Sequence, residues 1–293
     1  MGHEPVMVSE VLDMLLPSRG GVFVDCTVGL GGHSRALLES GATHVVALDR
    51  DTTALGIARE ALAPFGDRVT LVHADYRELP RVLDTRGLTA IDGALADLGV
   101  SSMQLDADGR GFSFRRDEPL DMRMDQTQGP TAADLLRDVD ERELADVIFQ
   151  YGEERYSRRI ARAIVTTRRE TPIATTGQLA AVVRRAIPRH GYQRIDPATR
   201  TFQALRIWVN RELEGLDGFL AQAAERLREG ARLAVITFHS LEDRIVKHAF
   251  RALERSATAI RILTKRPLVP TDEEVARNPR ARSAKLRAIE RLA

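Results

Sequence analysis

Four aspartates each close an apolar run, and a glycine cluster follows the first of them, an arrangement able to bind a polar ligand. Asp25 ends Gly21-Val-Phe-Val-Asp and leads through Cys-Thr-Val into Gly29-Leu-Gly31-Gly32-His33. Asp49 ends His44-Val-Val-Ala-Leu-Asp, 20 residues beyond Gly29. Asp75 closes Val69-Thr-Leu-Val-His-Ala, and Asp97 closes Ile91-Asp-Gly-Ala-Leu-Ala. Glycines directly after a strand let the backbone approach a ligand where a Cβ would clash, and an acid ending the next strand can accept hydrogen bonds from ribose hydroxyls. This is the pattern of a nucleotide-cofactor half-site. Glycine turns also serve packing alone, and Ser34 stands where the strict dinucleotide fingerprint has a third glycine.

The acids bear on which cofactor. Asp25 and Asp97 at the carboxyl ends of two strands should converge on one crevice, where a pyrophosphate would be repelled while a sulfonium and an α-ammonium gain Coulomb energy. S-adenosylmethionine is therefore the expected cofactor, with an NAD-dependent oxidoreductase as the rival class on the same strand-turn-helix. Asp75 and Tyr76 are placed to accept from an adenine amino group and lie against its ring. Read singly, each acid is also a helix cap or a solvated strand end.

These residues need a sheet to position them. Strand-like runs at 21–27, 44–49, 69–74 and 91–97 alternate with helical stretches at 33–40, 52–63 and 77–86, which predicts parallel strands with right-handed crossovers. From Gly99 to Gln128 the chain is rich in Gly, Asp, Ser and Arg and reads as a long loop. Only helical periodicity follows, at 133–139, 141–151, 155–167, 177–187 and 199–213. Strand signal returns at 231–238, then a helix at 241–256, a hairpin from 260–264 and 283–291, and a connecting loop at 267–279. The expected fold is α/β: a Rossmann-like sheet of the class I methyltransferase type, from residues 1–125 and 215–293, carrying an all-helical substrate-recognition insert at 126–214.

Composition narrows the setting. With 293 residues and 43% hydrophobic content the chain can bury a large core, and its single cysteine, Cys26, excludes an intramolecular disulfide. No basic-then-apolar leader and no membrane-length run occur, so a cytoplasmic protein is expected. The seven histidines are scattered and no Cys-x-x-Cys is present, so no metal site is expected. The net charge of +1 conceals a strong asymmetry: residues 151–211 hold thirteen arginines against four acids, and residues 251–293 hold eleven basic against five acidic residues. An acidic body with a basic region and a basic tail suits a polyanionic partner.

Several segments are candidates for meeting that partner. Arg110-Gly-Phe-Ser-Phe-Arg-Arg116 and Leu120-Asp-Met-Arg123-Met124 mix aromatics, methionines and arginines, which can stack on an unpaired base while holding its phosphate; Met122 and Met124 packing under a lid is the alternative. Arg155, Arg158, Arg159 and Arg162 fall on roughly one helical face, as an RNA contact or a solvated basic face. Trp208, among apolar residues at helical spacing, reads as core. Thr237-Phe-His239-Ser240-Leu-Glu242-Asp243 reads as a strand end followed by a helix capped by Ser240, with His239 a satisfied loop histidine rather than a general base.

Taken in order, these strings resemble the bacterial small-subunit ribosomal RNA methyltransferase H family, also called MraW. The likeness runs from His3-Glu-Pro-Val through Gly31-Gly32-His33, Asp97-Leu-Gly-Val-Ser-Ser, Gly111-Phe-Ser-Phe, Leu120-Asp-Met-Arg-Met, Tyr151-Gly-Glu-Glu-Arg, Phe202-Gln-Ala-Leu-Arg-Ile-Trp-Val-Asn and Phe238-His-Ser-Leu-Glu-Asp-Arg to Asn278-Pro-Arg-Ala-Arg-Ser. The resemblance implies S-adenosylmethionine-dependent N4-methylation of a cytidine in the decoding centre of 16S ribosomal RNA, within the small subunit. It implies cofactor contacts at Gly31, Gly32, His33, Asp49, Tyr76, Asp97 and Gln104. Many amino-group methyltransferases carry Asp or Asn followed by Pro-Pro and an aromatic after the fourth strand, whereas Asp97 here is followed by Leu98, Gly99 and Val100. Asp97 is the candidate catalytic acceptor for the amino hydrogens. A noncatalytic ribosome-assembly factor is the second rival, and a homodimer is left open.

Overall fold

The computed structural model describes residues 4–188, 195–256 and 259–293. His3, the first residue of the amino-terminal string, lies outside them. The strands are β1 (Val22–Asp25), β2 (His44–Asp49), β3 (Val69–His73), β4 (Ile91–Asp97), β5 (Leu227–Thr237), β6 (Ile260–Ile262) and β7 (Lys285–Arg291). They form one sheet in the order β3-β2-β1-β4-β5-β7-β6, parallel from β3 to β5, with β7 antiparallel to both β5 and β6. The α/β Rossmann-like sheet and the all-helical insert are both as the periodicity indicated.

Side-chain alternation along the strands sends residues to two cores, one on each face of the sheet. On β1, Phe23 joins one and Val24 the other; on β2, Val45 and Ala47 oppose Val46 and Leu48; on β5, Ala234 and Ile236 oppose Leu233 and Val235. A strand buried on both faces must be apolar throughout, which is why these runs carry no polar alternation. The helices of this part are α1 (Val8–Leu15), α2 (Gly32–Glu39), α3 (Thr52–Leu62) and α4 (Leu79–Asp84).

Residues Val100–Glu214 form a second compact unit, distinct from Met1–Gly99 with Gly215–Ala293. Its helices are α5 (Ser102–Asp106), α6 (Ala132–Asp138), α7 (Glu141–Gly152), α8 (Ser157–Glu170), α9 (Thr176–Ala186) and α10 (Ala198–Asn210). The segment 100–125, grouped above with the sheet, packs instead with these helices. Leu120, Met122 and Met124 are buried in the core that Leu144, Ile148, Ile160, Ile164, Leu179 and Phe202 build. Asn210 stitches it down, donating from Nδ2 to the Met122 carbonyl and accepting from the Met124 N–H through Oδ1, both at 2.7 Å. Trp208 packs against this same core.

The chain returns to the first unit with α11 (Leu216–Glu225), α12 (Ser240–Arg255) and α13 (Asp272–Arg277). Two of these departed from expectation. The stretch 267–279 is not all loop, because Thr271 caps α13 by accepting from the Glu274 N–H. His239, not Ser240, is the cap of α12, its Nδ1 facing the Glu242 N–H at 3.4 Å. No helix among the described residues is long and apolar enough to cross a membrane.

Candidate functional site

The sheet order reverses at β1: the chain moves outward through β2 and β3, then returns to the other side of β1 as β4. Open α/β sheets bind ligands at the carboxyl edge of such a switch point. Register places three acids on that edge, because Asp25 pairs with Ala47 on one side and Leu95 on the other, so Asp49 and Asp97 each lie two residues past it. The glycine turn follows, with Gly29 at φ +52 and Gly31 at φ +88. A Cβ on Gly31 would stand 3.1 Å from Leu62, and one on Gly32 only 2.8 Å from Pro5, so both must be glycine for the turn to close as it does.

Asp49 both ends β2 and holds the turn. Its Oδ2 accepts from the Gly29 N–H at 2.8 Å and its Oδ1 from the Asp51 N–H at 2.8 Å. Burial, with the charges of Asp51 and Asp25, outweighs these two bonds and pushes its pKa up to about 6.

Asp97 and His33 meet across the crevice, His33 Nε2 lying 3.5 Å from Asp97 Oδ2. Burial alone would lower the His33 pKa, but the adjacent Asp97 carboxylate, with the charges of Asp25 and Glu274, raises it above the ordinary histidine value. Three buried polar atoms of this pair, His33 Nδ1, His33 Nε2 and Asp97 Oδ1, have no hydrogen-bond partner among the described residues, the 3.5 Å approach of Nε2 to Oδ2 being an ion-pair contact. Buried polar atoms left unsatisfied are costly, so their presence at a switch-point crevice marks where a polar ligand would be received.

The other two acids have different duties. Asp25 is fully buried, accepting from Ser34 Oγ at 2.7 Å and the Thr27 N–H at 3.2 Å, with its pKa raised by burial. It therefore backs the crevice rather than lining it, contrary to the expectation of a second open carboxylate. Asp75 is taken by Arg77, whose Nε and Nη2 each donate at 2.7 Å, and it forms a capping box with Glu78. Although burial pushes the other way, Arg77 holds its carboxyl below the ordinary carboxylate range. Both Asp75 oxygens, expected to accept from an adenine amino group, thus accept from the Arg77 guanidinium. Tyr76 keeps a tilted ring contact with Phe219, centroids 4.7 Å apart.

Gln104 belongs to the second unit, where Ser101 and Gln104 form a capping box on α5. The arginines also divide. Arg123 grips Asp121 through Nε and Nη2, each at 2.8 Å. Arg155 precedes α8 rather than lying on it and stacks over Tyr156 at 4.6 Å. On the helix itself Arg162 meets Glu141 at 3.2 Å, while Arg158 and Arg159 are exposed and pair with no carboxylate among the described residues. Phe112 and Phe114 serve the helical core, Phe114 meeting Phe202 edge-on at 4.7 Å, so the 110–124 aromatics are packing groups and not a free stacking platform.

Sequence reasoning missed an amino-terminal clamp on the glycine turn. The Met7 N–H donates to Glu274 Oε1 at 2.7 Å and Asn278 Nδ2 to the Glu4 carbonyl at 3.2 Å, which holds Pro5 against Gly32. The signal, Thr271 three residues before Glu274, was present in the sequence as a cap.

Residues 1–292 match the family described as the MraW methylase family. A "Ribosomal RNA small subunit methyltransferase H" from a Cyanothece species is 53% identical over 291 residues, covering 99% of this chain and 95% of that one. The protein of the same name from Geobacter sulfurreducens is 52% identical over 307 residues, covering 99% of each. Among solved structures, an rRNA methylase from Streptococcus thermophilus aligns over 98% of this chain and 94% of its own, at 12% identity and a TM-score of 0.43.

Proposed function

The chain belongs to the MraW methylase family, and from that premise we propose that it methylates the N4 amino group of a cytidine in the decoding centre of 16S ribosomal RNA, using S-adenosylmethionine. The observation that carries this reading is the Asp97–His33 pair at the switch-point crevice, with Asp97 Oδ1 and both ring nitrogens of His33 lacking a hydrogen-bond partner among the described residues. The residues fit the cofactor. Gly31 and Gly32 give it close backbone approach, Asp49 offers a carboxylate to ribose hydroxyls, Tyr76 offers a ring face, and Asp97 and His33 supply polar atoms. When bound, the cofactor supplies an electrophilic methyl group on a sulfonium.

The chemistry asked of the protein follows from the nucleophile. The N4 lone pair of cytosine is delocalised into its ring, so the nitrogen must pyramidalise as it attacks, and positioning carries most of the catalysis. Asp97 Oδ1 accepts an N4 hydrogen, which favours the pyramidal nitrogen and stabilises the positive charge that develops there. His33, whose pKa the neighbouring acids raise, is a positioning residue: its Nε2 stands 3.5 Å from Oδ2 and so leaves Oδ1 to face the amine. A stacked or paired cytosine cannot present its amino group this way, so the target base is extruded. In the second unit, exposed Arg158 and Arg159 are cations available to RNA phosphates.

The test is radiolabelled methyl transfer from S-adenosylmethionine to small subunits lacking the modification, followed by mapping of the methylated nucleoside. N4-methylcytidine is expected. Label on another position, or calorimetric binding of NAD without S-adenosylmethionine, overturns the reading.

A further inference from the structure

The carboxyl-terminal half of α12 faces β6 and β7 across a cavity of about 270 Å³ that the crevice chemistry does not use. Lys247 and Arg251 stand one helical turn apart on the same face of α12, Lys265 arrives from just beyond β6, and Phe250 and Ile262 form an apolar floor. None of these three cations pairs with a carboxylate among the described residues. Arg287 in the wall is committed to Asp243, its Nε donating to Oδ1 at 2.7 Å. Glu254 is the one acid of the lining, and its Oε1 accepts from the Ile262 N–H at 3.0 Å. Arginine supplies 40 of the 43 basic residues, yet two of the three lysines line this cavity and the third, Lys285, meets Asp243 beside it. A lysine ammonium is a compact charge suited to a single phosphate oxygen.

We propose that this cavity binds the sugar-phosphate backbone of the substrate RNA, at a second contact in the sheet unit itself. Lys247, Arg251 and Lys265 take the phosphate oxygens, and a ribose or base edge lies on Phe250 and Ile262. Lys247 lies about 10 Å and Arg251 about 16 Å along the α12 axis from Ser240, at 1.5 Å per residue. The contact is therefore removed from the carboxyl rim and serves to dock RNA. It rests on the RNA-methyltransferase reading above but adds a site which that reading does not contain.

The test is a Lys247→Glu, Arg251→Glu, Lys265→Glu triple variant beside the wild type. Binding to unmodified small subunits and to deproteinised 16S ribosomal RNA is measured across a salt series. The expected result is at least tenfold weaker binding to both at ~0.1 M salt, with the slope of log affinity against log salt shallower by about 2 to 3. S-adenosylmethionine affinity by calorimetry and kcat at saturating subunits stay unchanged, which shows the variant folded. An unchanged slope overturns the proposal, as does a loss confined to intact subunits, which would assign the cations to an acidic ribosomal protein. Saturable binding of inorganic phosphate with an unaltered RNA slope overturns it too, in favour of a free anion. A variant that fails to bind S-adenosylmethionine is replaced by the Lys265→Glu single variant, expected to lower the slope by about 1. Wild type that transfers no methyl group to subunits refutes the parent reading and is distinguishable from all of these.

Discussion

Asp49→Asn tests the acid on which the glycine turn and the ribose contact both depend. In the wild type the carboxyl ordinarily titrates near 3.8 and is pushed up to about 6 in the fold, a difference worth up to about 3 kcal/mol. The folded state therefore holds its proton more tightly than the unfolded chain. That stabilisation is fully present below about pH 4, where both states are protonated, and is lost as pH rises through the window from about 4 to about 6. Asparagine has no such titration, so the variant's stability relative to wild type should improve by about 2 to 3 kcal/mol between pH 4 and pH 7, whatever constant offset the lost bond to Gly29 or Asp51 introduces. Denaturant melts of both proteins at half-unit pH steps read this directly. The same titration must appear with opposite benefit in cofactor binding. Ionised Asp49 is the better ribose acceptor, so wild-type affinity falls as pH drops below about 6, while the variant binds about 10- to 100-fold more weakly at pH 8 with little pH dependence. A stability gap that stays flat across pH 4 to 7, or wild-type calorimetric affinity indifferent to pH below 6, would refute the dual role of the buried Asp49 carboxylate.

Three further outcomes are expected. Asp97→Ala should abolish methyl transfer to small subunits while the melting temperature stays within a few degrees of wild type; substantial residual turnover would remove Asp97 from the reaction. Arg158→Glu with Arg159→Glu should weaken subunit binding about tenfold or more at ~0.1 M salt and flatten the salt slope by about 1 to 2, with S-adenosylmethionine affinity unchanged, as measured by filter binding. Asn210→Ala strands the buried Met122 carbonyl and Met124 N–H, at about 1 to 3 kcal/mol each, so limited proteolysis should open the 110–124 segment first.

The sheet was legible because doubly buried parallel strands must be continuous apolar runs, and those at 44–49 and 91–97 stand in the structure with the same bounds. The short helix α13 escaped notice because Pro267, Pro270 and Pro279 surround it and its own face buries little. The loop 100–125 misled for a different reason. Its aromatic, methionine and arginine mixture has the composition of a base-stacking surface, but composition does not say which neighbour satisfies it. Asn210, 86 residues away from Met124, does so here, and no local pattern announces a pairing at that separation.

The four strand-ending acids illustrate how far local context sorts residues that look equivalent. Asp75 is followed at two residues by Arg77 and at three by Glu78, a cap signature, and the carboxylate is consumed by that local network. Asp25 is followed by Thr27 and Ser34, whose donors seal it inside. Asp97 is followed by Leu98 and by Gly99, which at φ +117 turns the chain away from it, and neither offers a side-chain donor. Its Oδ1 is left without a partner among the described residues beside a histidine whose pKa the acids themselves raise. An acid at a switch-point rim keeps its acceptor atoms when the residues just after it have nothing to donate, and that criterion favours Asp97 over Asp25 and Asp75, as does the sequence reading that makes Asp97 the candidate acceptor.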